Sequence, residues 1–288
     1  MRGAVLLLIA AGCGSLPHPD LAPVVGALAA RGDGKTVAIA YRDLRTGYAA
    51  SVHGDVVLHA ASTMKVPVML EVFRAAEAGR LDLDQPVLLA NSFASIVDGS
   101  QYTLNAADDS DPEPYAHLGA RWPLRRLVHA MIVRSSNLAT NLVIALADPR
   151  RVQATCEALG TRAMQVRRGV EDGKAFAAGL NNVTTADDLA TLMVALANDT
   201  AASPASCAEM RAILAAQEFN DLIPAGLPTG TRVAHKTGQI TAHQHDAAII
   251  YPIGGSPYVL VVLTKGWADA KESAAVIADV ARQLHALR

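Results

Sequence analysis

Apolar and polar positions change period along this 288-residue chain, and each change marks a different kind of element. Residues 36–43 put Val37, Ile39 and Tyr41 on one face, the two-residue repeat of a half-buried strand. Leu44-Arg45-Thr46-Gly47 has the chemistry of a turn, and residues 48–53 return as the second strand of a hairpin. From residue 62 to about residue 217 the pattern is mainly helical. Apolar runs at 66–72 and 124–133 alternate with breaks at Gly79 and at an acidic loop around residues 108–113, which Pro112 and Pro114 interrupt. Short β-branched or aromatic runs reappear at 232–236, 247–251 and 258–264, with turn signals such as Gly254-Gly255 between them. Residues 270–286 close the chain as an amphipathic helix, and another helix is predicted over residues 20–30, with Asp20 as N-cap.

A single hairpin cannot bury its apolar face, so the early and late strands are expected to share one sheet. That predicts an α/β (α+β) fold. Its sheet lobe comes from about residues 20–61 and 218–288, and a helical lobe of about residues 62–217 is inserted between them. The chain is 51% hydrophobic, enough for a large core and unlike a disordered protein. A net charge of −2 provides no basic field for nucleic acid or anionic lipid.

Arg2 followed by the apolar run 4–11 reads as an export signal, placed here in residues 1–19. The segment Ile9-Ala10-Ala11-Gly12-Cys13 also resembles a bacterial lipoprotein cleavage box, which would lipidate Cys13 and attach the protein to a membrane. Each buried methylene of such an anchor contributes roughly 0.8 kcal/mol. The expected location is therefore the periplasm or cell envelope. Cys156 and Cys207 lack the clustered spacing of a zinc site or disulfide framework; they read as two buried thiols, with a single bridge between them left open.

Three short motifs carry chemistry. Ser62-Thr63-Met64-Lys65 stands where an apolar helical run begins, and a spacing of three puts Ser62 and Lys65 on one helical face. A serine hydroxyl needs a nearby base to become a nucleophile, and lysine serves as one only where its neutral form is favoured. Ser135-Ser136-Asn137 follows the helical stretch 124–133 and presents a hydroxyl and an amide at alternate positions. His235-Lys236-Thr237-Gly238 is expected at a strand end, with Gly238 permitting the close approach of a substrate chain. Taken singly, each has a plain structural explanation: a helix cap, a turn, a charged strand end. Together they occur in the order Ser-x-x-Lys, Ser-x-Asn, Lys-Thr-Gly, each on the element it requires.

With these motifs, and with Arg134–Asn141 and Asn181–Ala186 around them, the chain resembles the class A serine β-lactamases and their penicillin-binding, DD-peptidase-like relatives over about residues 20–288. The resemblance implies a five-stranded antiparallel sheet flanked by N- and C-terminal helices, with an all-helical lobe inserted. It also implies a serine hydrolase acting on β-lactams. Ser62 would be the nucleophile, Lys65 would help to deprotonate it, and Ser135 would pass a proton to the departing nitrogen. Asn137 would hold the substrate's side-chain amide, Lys236 and Thr237 its carboxylate, and the backbone N–H groups of Ser62 and Gln239 the oxyanion. No cofactor or metal is implied, and the expected partner is a small β-lactam or peptidoglycan-like molecule met by a monomer.

The chain departs from the family pattern in two places. Glu171, in Arg168-Gly169-Val170-Glu171-Asp172-Gly173, is the candidate base for deacylation, but no proline follows it and the asparagine comes late, at Asn181 or Asn182. Ser136 stands where an aspartate is frequent, which puts local hydrogen bonding in question. Three alternatives follow: a DD-peptidase or esterase with slow deacylation, a non-catalytic peptidoglycan-binding lipoprotein, and a metallohydrolase built on His243, His245 and Asp246. Met64, Tyr102 and Tyr115 are candidates to line the groove or to belong to core and loop.

Overall fold

A computed structural model describes residues 34–287. The export segment, Cys13 and the helix expected at 20–30 lie outside the described residues. In chain order the main elements are strands β1 (Thr36–Asp43) and β2 (Ala49–Val52), helices α1 (Lys65–Glu77), α2 (Leu124–Val133), α3 (Asn137–Ala147), α4 (Pro149–Ala158), α5 (Gly173–Ala177), α6 (Ala186–Ala197) and α7 (Pro204–Ala215), strands β3 (Arg232–Ile240), β4 (His243–Tyr251) and β5 (Tyr258–Lys265), and helix α8 (Ala270–Ala286). Short two-stranded ribbons tie the loops of the helical part together.

The sheet has the order β2-β1-β5-β4-β3. The first and last segments of the chain meet in antiparallel register, Ala40 opposite Val261, and Lys236 faces Ala247 across the outer hairpin. Alternation in β1 sorts the two faces. Val37, Ile39 and Tyr41 join Leu260, Val262 and Ile250 under helix α8, whose Val276, Ile277, Val280 and Leu284 fill that side. Ala38 and Ala40 turn the other way, with Val261, Leu263 and Ile249, toward the helical part. These small side chains leave room for α6 to approach the sheet. Fully burying each large apolar side chain in such a layer contributes about 1.5–3 kcal/mol.

Helix α1 is buried nearly all round, from Lys65 to Phe73, so it is a central helix with little amphipathic character. Among the described residues no helix is long and apolar enough to cross a membrane. Cys156 and Cys207 are both free and buried, which closes the question of a bridge between them.

Two boundaries differ from expectation. Strand β3 runs on through Lys236-Thr237-Gly238 to Ile240, so this motif lies within the strand and not at its end. Strand β4 begins at His243, four residues before the apolar run. The cause is the tight hairpin at Thr241-Ala242, where Ala242 takes a φ of 57° and lets polar residues pair across it. Cross-strand pairing outweighs their weak intrinsic strand preference.

Candidate active site

Ser62 sits on a 3₁₀ turn, Ala61–Met64, that runs directly into α1. The chain enters this turn from a two-residue ribbon, Leu58–His59 paired with Val183–Thr184. Three bonds then fix it: the Ala60 N–H donates to the Asn182 carbonyl at 2.9 Å, the Ala61 N–H to His59 Nδ1 at 3.0 Å, and Thr63 Oγ1 to the Ala60 carbonyl at 2.6 Å. Burial, with the nearby Arg168 and His243, holds His59 down to a pKa of about 4. Its ring is therefore neutral at ordinary pH and can accept at Nδ1. Ala61 has φ 46°, Ser135 φ 56° and Glu171 φ 61°. Left-handed conformations cost non-glycine residues about 1–2 kcal/mol each, and such strain tends to collect at functional sites.

Lys65 is fully buried, and its Nζ has three acceptors: the Ser135 carbonyl at 2.7 Å, Asn137 Oδ1 at 2.9 Å and Ser135 Oγ at 3.1 Å. Burial lowers its pKa to about 7, against the opposing pull of Asp109 and Glu171. The neutral amine of Lys65 is then accessible near pH 7, the condition that a base requires.

Asn137 joins two groups. Its Oδ1 accepts from Lys65, and its Nδ2 donates to Glu171 Oε1 at 2.7 Å. Glu171 is thus brought to the site despite its altered loop. Asn141 of α3 holds the residue before Glu171: its Oδ1 accepts from the Val170 N–H at 2.6 Å and its Nδ2 donates to the Val170 carbonyl at 3.0 Å. Asp172 is buried and accepts from Ser95 Oγ and the Ile96 N–H, each at 2.9 Å, and from the Ala175 N–H at 3.0 Å. Farther on, Asn182 Oδ1 accepts from the backbone of Arg167 and Arg168, and its Nδ2 donates back to the Arg168 carbonyl. Burial raises the Glu171 carboxyl above the usual carboxylate range; the Asn137 bond works against this, and Asp109 and Asp108 add to it.

Strand β3 forms the opposite wall. A Cβ on Gly238 would lie 3.0 Å from the backbone nitrogens of both Ser62 and Thr63. The close neighbour that this glycine admits is therefore the turn that carries Ser62. Lys236 is fully buried behind Thr237, and its Nζ donates to the Thr237 carbonyl at 2.8 Å. Burial holds its pKa well below the usual lysine range; Lys65 adds to the lowering and Asp246 opposes it. Thr237, Gly238 and Gln239 reach the cleft itself.

That cleft has two wings meeting at Ser62, Asn137 and Gln239. One, of about 350 Å³, runs along Ser135, Thr237 and Gly238 between Asp108 and Asp221. The other, of about 470 Å³, lies against Glu171, Arg168, Phe176 and Ile240. Both are of the size small-molecule sites have. Every residue expected at the site lines one of these wings or stands directly behind it. Met64 belongs to the core, Tyr102 supports the Glu171 loop through Asn141, and Tyr115 holds Asp109. His59, Phe176 and Asp109 also belong to the site but are not legible in the sequence, because a lone histidine, an exposed phenylalanine and one aspartate in an acidic loop carry no local pattern.

His243 and His245 do share a face, with rings 6.0 Å apart. Both nitrogens of His245 lie within hydrogen-bond distance of backbone carbonyls, those of Gln244 and His59, and Asp246 pairs with His235 instead. Among the described residues no group of three or more His, Cys, Asp or Glu side chains is placed to hold a metal ion.

Comparison with known proteins agrees with this geometry. The Beta-lactamase enzyme family model matches residues 20–287. A β-lactamase of Bacillus amyloliquefaciens is 28% identical over 205 residues, 68% of this chain and 66% of that protein, so the match spans just under two thirds of its length. Among solved structures, a β-lactamase from Sphaerobacter thermophilus is 30% identical with a TM-score of 0.80, covering 93% of this chain and 98% of its own. PBP-A is 25% identical with a TM-score of 0.78, covering 94% and 98%.

Proposed function

The chain belongs to the β-lactamase enzyme family, and from that premise we propose that it hydrolyses β-lactams through an acyl-enzyme on Ser62. The observation that carries the reading is the fully buried Lys65, bonded to the serine and asparagine of the second motif.

Ser62 Oγ forms a bond to the lactam carbonyl carbon as its proton passes to the Lys65 amine. The carbonyl oxygen becomes an oxyanion, held by the backbone N–H groups of Ser62 and Gln239; losing one such donor typically costs roughly 3 kcal/mol. The C–N bond then breaks, and the proton moves from Lys65 through Ser135 Oγ, 3.1 Å away, to the departing nitrogen. Thr237 presents a hydroxyl to the substrate carboxylate with the Lys236 amine behind it, whose protonation the arriving carboxylate favours, and Asn137 binds the substrate's side-chain amide. Glu171 takes a proton from water, whose oxygen attacks the ester carbon; the C–O bond breaks and that proton is delivered to the departing Ser62 Oγ, leaving Glu171 ionised as it began.

A second reading, a penicillin-binding enzyme with slow deacylation, draws support from Glu171 itself. Its backbone is left-handed and one carboxylate oxygen is already engaged by Asn137. A solved structure of a PBP-A variant as an acyl-enzyme complex with penicillin G is 25% identical to this chain. Intact-protein mass spectrometry after mixing with penicillin, with Ser62→Ala as control, tests both. A transient adduct with nitrocefin turnover fits hydrolysis, and a persistent adduct fits the second reading. Absence of any adduct refutes the acyl-enzyme. We further propose export with lipidation at Cys13, supported by Arg2, the apolar run 4–11 and the cleavage-box sequence.

A further inference from the structure

Ser136 leaves the second motif without a carboxylate of its own, yet one is present there from another part of the chain. Asp109, half-buried in the loop before the short Glu113–Ala116 turn, directs Oδ2 at the start of helix α3. That oxygen accepts from the Asn137 N–H at 2.9 Å, the Leu138 N–H at 3.0 Å and the Tyr115 hydroxyl at 2.9 Å. Ser136 Oγ takes the next amide, Ala139, at 3.2 Å. Two side chains from separate segments therefore satisfy the first turn of α3, where free N–H groups and the helix dipole favour negative charge. The loop is held in place in turn: Asp109 Oδ1 accepts from the Asp111 N–H at 3.1 Å, and Ser110 Oγ donates to the Arg134 carbonyl at 2.6 Å.

We infer that Asp109 is a positioning residue for the acylation step: from outside the Ser-x-Asn segment its carboxylate caps α3, fixes Asn137 and sets a negative charge one residue removed from the Lys65 amine, on the far side of Asn137. The inference rests on Lys65 being the proton acceptor for Ser62. Asn137 is the residue that bonds Lys65 and Glu171 together, so holding its backbone holds both. The charged groups facing Lys65 are Asp109 and Glu171, which favour its protonated form, and Lys236 on β3, which repels it. Removing the Asp109 charge leaves Glu171 as the only anion of this set, and Lys65 then gives up its proton at lower pH. Simple capping would predict something else: a weaker enzyme with an unmoved pH profile.

The test uses Asp109→Asn, which keeps an acceptor oxygen at the cap and removes the charge. Two quantities are followed against pH in the full chain: kcat/KM for nitrocefin, and the 13C resonance of Lys65, one of six lysines and assigned with Lys65→Met. Both midpoints are expected to move to lower pH by about one unit, the lower end of the range that a neighbouring opposite charge imposes. Asp109→Glu, which keeps the charge, is expected to titrate like the parent. An unmoved Lys65 midpoint in Asp109→Asn, or an equal displacement in Asp109→Glu, overturns the inference. Should Asp109→Asn not fold, Asp109→Ser supplies a second uncharged cap. If the parent turns over no nitrocefin, the proposed function fails on its own, and the Lys65 resonance still decides the role of Asp109.

Discussion

Replacing Gly238 by alanine tests the geometry of the cleft most directly. Its φ is not in the left-handed region, so alanine adds no backbone strain and the whole effect comes from one methyl group. That methyl would meet the backbone nitrogens of Ser62 and Thr63 at 3.0 Å and Ala61 Cβ at 3.2 Å, up to about 0.4 Å inside ordinary contact at 3.4 Å. Relief requires either β3 or the Ser62 turn to move. The turn is held by Asn182, His59 and its own Thr63, and β3 is paired with β4 along its whole length. Overpacking of this kind costs about 1–3 kcal/mol. Displacement of a reacting group by about 1 Å costs about a hundredfold in rate, so a shift of a few tenths of an ångström predicts a loss nearer tenfold in kcat/KM, about 1.4 kcal/mol. The assay is nitrocefin kinetics beside urea denaturation. A variant with kcat/KM within twofold of the parent and no loss of stability refutes the idea that this glycine is needed for the approach of strand to nucleophile.

Other consequences are as direct. Lys65→Arg keeps the charge and removes the accessible neutral form, so acylation by penicillin should fall by at least about a thousandfold when followed by mass spectrometry, and near-parental acylation would exclude Lys65 as base. In the parent, kcat/KM should rise with pH through about 7, as Lys65 loses its proton; a profile flat from pH 5 to 9 would contradict this. Glu171→Gln should acylate normally and release product slowly, so an unchanged acyl-enzyme lifetime would remove Glu171 from deacylation. Asp172 is pulled upward by burial, but the N–H groups of Ala175 and Ile96 and the Ser95 hydroxyl outweigh this and leave its pKa below the usual value. Its contribution is thus present above the unfolded carboxylate pKa and disappears as pH falls through the folded one. Asp172→Asn should cost about 2 kcal/mol near pH 7 in urea denaturation, and this difference from the parent should shrink below pH 4.

How much of this the chain discloses before folding depends on the range of the interactions involved. Strand β1 and helices α2 and α8 were legible to the residue, because the period of their apolar positions matches how they are buried. Lys236-Thr237-Gly238 was misplaced at a strand end because the polar residues around it carry no strand period to announce that Gly238 and Gln239 will pair with His245 and Gln244. The three motifs marked side chains that the fold brings together at the cleft, since hydroxyl, amine and amide at fixed short spacing are local facts. Asp109 was not legible for the opposite reason: its partners Asn137 and Leu138 lie 28 and 29 residues away. The Glu171 loop shows the same limit, since Asn141 and Asn182 do the work that its sequence leaves undone.

These long-range groups explain how two buried lysines coexist in one cleft. Among the described residues neither amine has a carboxylate in direct contact; Lys65 is bonded to a carbonyl, a hydroxyl and an amide oxygen, and Lys236 to a carbonyl. Burial and mutual repulsion push both toward neutrality, since an ion taken from water without a paired partner loses several kcal/mol of solvation. The anions stand one step back: Asp109 and Glu171 on the side of Lys65, and Asp246, shared with His235, on the side of Lys236. A carboxylate touching Lys65 would fix its proton and leave Ser62 without a base. With none nearby, the lysine would lose its proton far below neutral pH and have little driving force to take another from a hydroxyl. Carboxylates at one remove give the intermediate case, a lysine poised near pH 7, and they do so only because loops distant in sequence converge on Asn137.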